Sequence, residues 1–256
     1  NIEDPTSQGL EVAGVEETLP EASPQIDHSQ LYVWVADSGN DRIQKFDGNG
    51  KLLMHFGKSG GTRPPYIPGE FKTPSGVAVD NEGYIWVVDT GCHRMQKFDP
   101  DGDFFFEFGS EGWGQEKFYM PEQIVAEPTG TILVADTSNH CVKRYDSDGE
   151  FILSFGFAGN FDGFMKFPVG LALDREGNIY VADSESDNVE NPGWEMGIRI
   201  GDVKSGWVNY FVLTPFADPN VIGGVGAEFV AVDAEGNMYG GEPMGRTIQK
   251  YIRVRP

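Results

Sequence analysis

The sequence predicts an all-β fold, a β-propeller of four-stranded antiparallel blades, and three observations carry the prediction. A proline-led segment recurs every 47 residues, at 74–80, 121–127 and 168–174. Nine residues after each segment an apolar run ends in aspartate, at Asp89, Asp136 and Asp183, again 47 apart. Quartets that begin with Asp and end with Gly separate short β-branched or aromatic runs throughout. A period of this length, punctuated by turn residues, marks an array in which each repeat is one small sheet.

The copy at residues 74–109 shows the blade most plainly. Four runs of strand length lie at 76–79, 84–88, 94–98 and 104–108. The first pair is joined by Asp80-Asn81-Glu82-Gly83 and the last pair by Asp99-Pro100-Asp101-Gly102, each with a terminal glycine able to take φ > 0 and close a hairpin. Such turns recur at 47–50, 146–149, 174–177 and 233–236. The runs IWVV and FFFEF are nearly continuous in apolar residues, which predicts strands covered on both faces by neighbouring blades.

The copy at 31–57 supplies three strands and takes its opening strand from 23–28, while the copy at 228–253 ends without a fourth. A strand from residues 10–16 is the expected closure of the last blade, hiding two open edges. Five second-strand endings, Asp37, Asp89, Asp136, Asp183 and Glu242, predict five blades, with a six-bladed ring lacking one blade as the alternative. The chain thus divides into an N-terminal extension at 1–30 and a propeller at 31–256.

The 19 basic and 40 acidic residues give a formal charge of −21, which argues against nucleic acid or an anionic membrane surface as partner. Cations, small polar molecules and proteins remain. No run of 18 apolar residues predicts a membrane-spanning helix. The chain starts at Asn1, so the expected location is secreted or periplasmic, after removal of a leader. The acidic, proline-containing segment before residue 30 offers a strand to a second copy, and hence a route to a homo-oligomer or an assembly subunit.

The stretch VADSGNDRIQKFD at 35–47, repeated as VVDTGCHRMQKFD and VADTSNHCVKRYD, resembles the NHL repeat. The C-terminal part resembles bacterial NHL propellers related to peptidyl-α-hydroxyglycine α-amidating lyase. That resemblance implies a six-bladed propeller and a zinc ion held in the central channel by histidines at the opening of the first strands. The matching positions here are Ser75, Glu122, Val169 and Glu228, none of them histidine. A metal-dependent lyase or lactonase-type enzyme is therefore the runner-up to a binding module without catalysis of its own.

Two thiols and two imidazoles, Cys92, His93, His140 and Cys141, make a zinc-type set on paper; the alternatives are a disulfide, which the different loop positions of the cysteines disfavour, and two separate thiols, with the histidines filling a structural repeat position. Calcium at Asp99-Pro100-Asp101-Gly102-Asp103 lacks the distant bidentate glutamate, so a hairpin turn is the expectation there. The acids ending each second strand read as loop caps, because a group needed in every blade is needed by the blade. Trp34, Trp86, Leu133, Tyr180 and Tyr239, three residues before those acids, read as core. Ligand binding is expected on irregular connections: 58–73, five residues longer than its counterparts, 184–196, and 242–246. The candidates are Arg63, Tyr66, Trp113, Trp194, Glu242 and Arg246.

Overall fold

The computed structural model describes residues 31–61, 63–158, 163–183, 197–206, 208–213, 228–242 and 247–253. Among them lie three four-stranded antiparallel sheets: β6 to β9 (Pro74–Val79, Ile85–Asp89, Arg94–Phe98, Phe104–Phe108), β10 to β13 (Gln123–Ala126, Ile132–Asp136, Cys141–Tyr145, Phe151–Gly156) and β14 to β17 (Pro168–Leu173, Asn178–Asp183, Gly197–Asp202, Val208–Leu213). Three-stranded sheets flank them, β1 to β3 (Tyr32–Asp37, Arg42–Asp47, Leu52–Phe56) and β18 to β20 (Phe229–Val232, Met238–Glu242, Thr247–Tyr251). Strand order follows chain order in every sheet, the meander of a propeller blade. The expected strands at 10–16 and 23–28 lie outside the described residues, as does the closure of the ring.

Opening strands of successive blades stand side by side, β6 against β10, β10 against β14 and β14 against β18. The second strands make the core by alternation, since successive side chains leave opposite faces of a sheet. Along β7, Ile85 and Val87 join Ile43, Phe71 and Phe98 toward the first blade, whereas Trp86 and Val88 join Ile124, Ile132, Val134 and Tyr145 toward the third. Along β11, Leu133 and Ala135 turn instead to Leu171, Ile179 and Val181 of the next blade, and Tyr180 and Ala182 then face Val230 and Met238. Each of the branched aliphatic, methionine and phenylalanine side chains among them contributes about 1.5–3 kcal/mol by leaving water. Both faces of a blade are thus spent on its neighbours.

The fourth strand departs from the expectation of double coverage. Phe104 is 39 % and Phe105 55 % exposed, because β9 is the outer edge of its sheet and has no further strand to cover it. Opening strands also begin two residues earlier than the apolar run implies, at Pro74 and Pro168, with the register shifting between the proline and the glycine two residues on.

A repeated clasp holds the chain between blades. The residue after the last strand of a sheet or at its end, Gly57 after β3, Gly109 after β9 and Gly156 in β13, takes φ of +92°, +98° and +94°. Against these glycines pack Phe71, Phe118 and Met165, all buried and themselves 47 apart. The long connection carries a two-residue parallel pair, β4 (Lys58–Ser59) with β5 (Glu70–Phe71), and the next connection keeps it as a single bridge, Glu111 to Phe118. A β-carbon on Gly109 would sit 2.6 Å from the Phe118 ring. Gly109→Ala is therefore expected to lower unfolding free energy by about 1–3 kcal/mol through strain and clash. In chemical denaturation, Gly39→Ala, which meets nothing within 4 Å, should stay within about 0.5 kcal/mol of the parent.

Candidate functional site

The aspartates that end the second strands are buried connectors. Asp89 Oδ1 accepts the Lys72 N–H at 2.7 Å and Asp136 Oδ1 the Tyr119 N–H at 2.8 Å, so each carboxylate fixes the chain as it enters its own blade. The other oxygen faces a basic side chain of the third strand: Arg94 Nε donates to Asp89 Oδ2 at 2.8 Å, Lys143 Nζ stands 2.7 Å from Asp136 and Arg199 Nε 2.9 Å from Asp183. All three acids are fully buried. Environment decides how the position titrates. Hydrogen bonds, chiefly from Arg42, hold Asp37 below the ordinary carboxylate range, whereas burial pushes Asp89 above it despite the Lys72 and Arg94 contacts. These side chains cap loops, as their repetition implied, and do not form an open ring of charge.

Two further contacts complete each junction. The hydroxyl after each acid donates to the carbonyl of the proline that opens the next blade: Ser38 to Pro74 at 2.5 Å, Thr90 to Pro121 at 2.7 Å, Thr137 to Pro168 at 2.8 Å. The histidines occupy a left-handed position, φ +54° at His93 and +58° at His140, and their Nδ1 atoms accept the N–H of Met120 and Phe167 at 3.0 and 3.2 Å. Asp41 does the same in the first blade, at φ +52°, its carboxylate accepting the Thr73 N–H at 2.7 Å. Acceptor capacity in a left-handed residue is what this place requires, and aspartate meets it as well as imidazole.

The zinc-type set does not assemble. Among the described residues no three His, Cys, Asp or Glu side chains are grouped to hold a metal ion. Cys92 and Cys141 are buried free thiols, so the disulfide is not formed. Burial, reinforced by Asp89 and Asp136, pushes both thiols up to about 12. The Asp99 turn is a hairpin whose carboxylate accepts the N–H groups of Asp101 and Asp103 at 3.0 and 2.9 Å.

Among the irregular-loop candidates, Tyr66 lies 5.2 Å over the Arg94 guanidinium, whose Nη2 donates to the carbonyls of Ile67 and Glu70. The long connection is thereby nailed to β8. Arg63 is exposed on the same connection, and Trp113 stands 70 % exposed on the next. Trp194 and Arg246 lie outside the described residues, and Glu242 ends β19 opposite Thr247.

What the structure does bring together is the channel mouth. A cavity of about 550 Å³ is lined by Ser75, Glu122, Val169 and Glu228, the opening-strand positions of four successive blades, with Gln123, Thr137 and Ser138 between them. Met120 and Phe167 form its apolar rim. Hydroxyl, amide and carboxylate groups dominate the wall, and no basic side chain lines it among the described residues. Ser75, Glu122 and Val169 stand 47 residues apart, the signal in the sequence that they share one place in successive blades, whereas Glu228 follows Val169 by 59 residues and breaks the step.

The NHL repeat family model matches residues 71–98 and 118–145. The chain is 44 % identical over 64 residues to Protein brain tumor of Drosophila melanogaster, covering 24 % of this chain and 6 % of that protein. It is 36 % identical over 84 residues to the probable peptidyl-alpha-hydroxyglycine alpha-amidating lyase pgal-1 of Caenorhabditis elegans, covering 30 % of this chain and 22 % of that one. A catalytically inactive H270A virginiamycin B lyase from Staphylococcus aureus, solved with quinupristin, superposes with a TM-score of 0.55 at 16 % identity, over 91 % of this chain and 71 % of that one. That likeness concerns the fold.

Two measurements check the assignment of the repeated residues. His93→Asp should hold stability within about 0.5 kcal/mol of the parent, while His93→Ala loses about 1 kcal/mol with the acceptor. Native protein at pH 8 should leave both thiols unlabelled by Ellman's reagent, and guanidinium should expose two per chain; rapid native labelling would contradict their burial.

Proposed function

We propose that this chain, which carries NHL repeats, acts outside the cytoplasm as a binding module without catalysis of its own, taking a polar, positively charged group at the channel mouth. The group belongs to a small molecule or to a side chain presented by a protein partner. One observation carries the reading: Glu122 and Glu228 line a roomy channel mouth alongside Ser75, at positions where the lyase resemblance implies histidines. Carboxylates in a concave, basic-free wall attract cations and repel anions, and the charge of −21 extends that preference across the surface. His93 and His140 are occupied as backbone acceptors, and among the described residues no three His, Cys, Asp or Glu side chains are grouped to hold zinc.

The partial similarity to the nematode lyase favours a second reading, an enzyme acting on a peptidyl-α-hydroxyglycine. Stoichiometric zinc retained after dialysis and lost in a Cys92 or His93 variant, together with turnover of such a peptide, would replace the binding reading. For the binding reading, calorimetry with 1,4-diaminobutane should show salt-sensitive association that 1,4-butanediol does not. Glu122→Gln with Glu228→Gln should weaken it at least about tenfold, one charge-assisted contact per carboxylate. Equal binding of diamine and diol, or an unaffected double variant, would overturn it.

A further inference from the structure

We propose that a pocket beside Trp113, distinct from the channel mouth, is a binding site for a single phenol ring. The turn at Thr137–Asn139 separates the two cavities: Thr137 and Ser138 line the channel, and Asn139 lines this pocket. The pocket measures about 150 Å³, a volume at which an apolar cavity accommodates one benzene-sized ring. Rings form much of its wall, Phe151, Phe157 and the exposed Trp113.

Its polar character is specific. Asn139 is 3 % exposed, and its Nδ2 donates to the Gly112 carbonyl at 3.0 Å and to Asp136 Oδ2 at 2.8 Å. Those two acceptors fix the orientation of the amide, because a flipped amide would set its oxygen against both. The Asn139 Oδ1 atom is left buried with no hydrogen-bond partner among the described residues. Interiors seldom leave such an acceptor unmatched. The neighbouring cation offers nothing further to an anion, since Lys143 Nζ is already held by the carbonyls of Gly114 and Lys117 and by Asp136. The Cys141 thiol beside it stays neutral. An unmet acceptor, a lysine already committed and a ring-sized, largely apolar wall together select a neutral ring bearing one O–H.

The repeat itself does not require this amide. At the same turn position, Asn40 of the first blade is exposed with its Nδ2 spent on Asp37, and the second blade has Cys92. In the third blade the connection carrying Trp113 covers the position. Oδ1 is shut off from bulk water, and the Trp113 and Gln115 side chains that line the same pocket are exposed.

The source of the ring is either a free phenol or a tyrosine side chain of a peptide. Saturation-transfer NMR on the full chain, with p-cresol, toluene, 4-methylbenzoate and N-acetyltyrosinamide as probes, tests the proposal. p-Cresol should bind, toluene about five- to tenfold more weakly for want of the hydrogen bond, and 4-methylbenzoate not at all. Trp113→Ala, a change at an exposed residue, should weaken p-cresol binding about fivefold or more. N-acetyltyrosinamide binding at least as well as p-cresol assigns the peptide source, and its exclusion assigns the free phenol. The proposal fails if neither phenol binds at millimolar concentration, if toluene matches p-cresol, or if Trp113→Ala changes nothing.

Discussion

A buried carboxylate at the end of the second strand, present in three successive blades as Asp89, Asp136 and Asp183, is the interaction on which the rest of this propeller depends. Asp89 and Asp136 each neutralise a basic side chain of the third strand with one oxygen and grip the backbone entering the blade with the other. A charge buried this deeply is tolerated only when paired and fully hydrogen-bonded, so the acid, its base and the incoming backbone must be in place together. The junction is completed from the preceding blade, by a hydroxyl that holds the opening proline and a left-handed residue that holds the next N–H. Lys72 and Thr73, adjacent in the chain, are therefore gripped by two different blades.

This clamp explains why most chemically suggestive residues of the repeat are not available for chemistry. The imidazoles accept backbone hydrogen bonds, the thiols are buried and neutral, and Trp86 sits in the core with its Nε1 donating to Asp80 at 3.0 Å. What remains lies where the repeats differ: the side chains that vary along the channel, and the connections that vary in length and sequence. Glu122 and Asn139 belong to those classes, one replacing Ser75 at its repeat position and the other standing where the second blade has Cys92.

The strand runs, the hairpin turns and the capping role of the acids were legible in the sequence because each depends on local chemistry that the 47-residue step repeats. The pairing of Gly109 with Phe118 was not, since it joins a left-handed glycine to a side chain nine residues on in an irregular connection whose length varies. Nor was the acceptor role of His93, which is apparent only when Asp41 is seen doing the same work in another blade. The half-exposed β9 escaped notice because an aromatic run reads as core whether or not another strand lies beyond it. The channel mouth was legible as a set of positions, Ser75, Glu122, Val169 and Glu228, but a one-dimensional repeat does not reveal that their side chains share one cavity.

A double-mutant cycle on Asp136 and Lys143 tests the clamp most directly. Their side chains are 0 % and 5 % exposed and 2.7 Å apart. If the pair is the structural connector described here, Asp136→Ala and Lys143→Ala each lower unfolding free energy by about 3–5 kcal/mol, and the double variant loses clearly less than their sum. Losses below about 1 kcal/mol, or strictly additive ones, would contradict it.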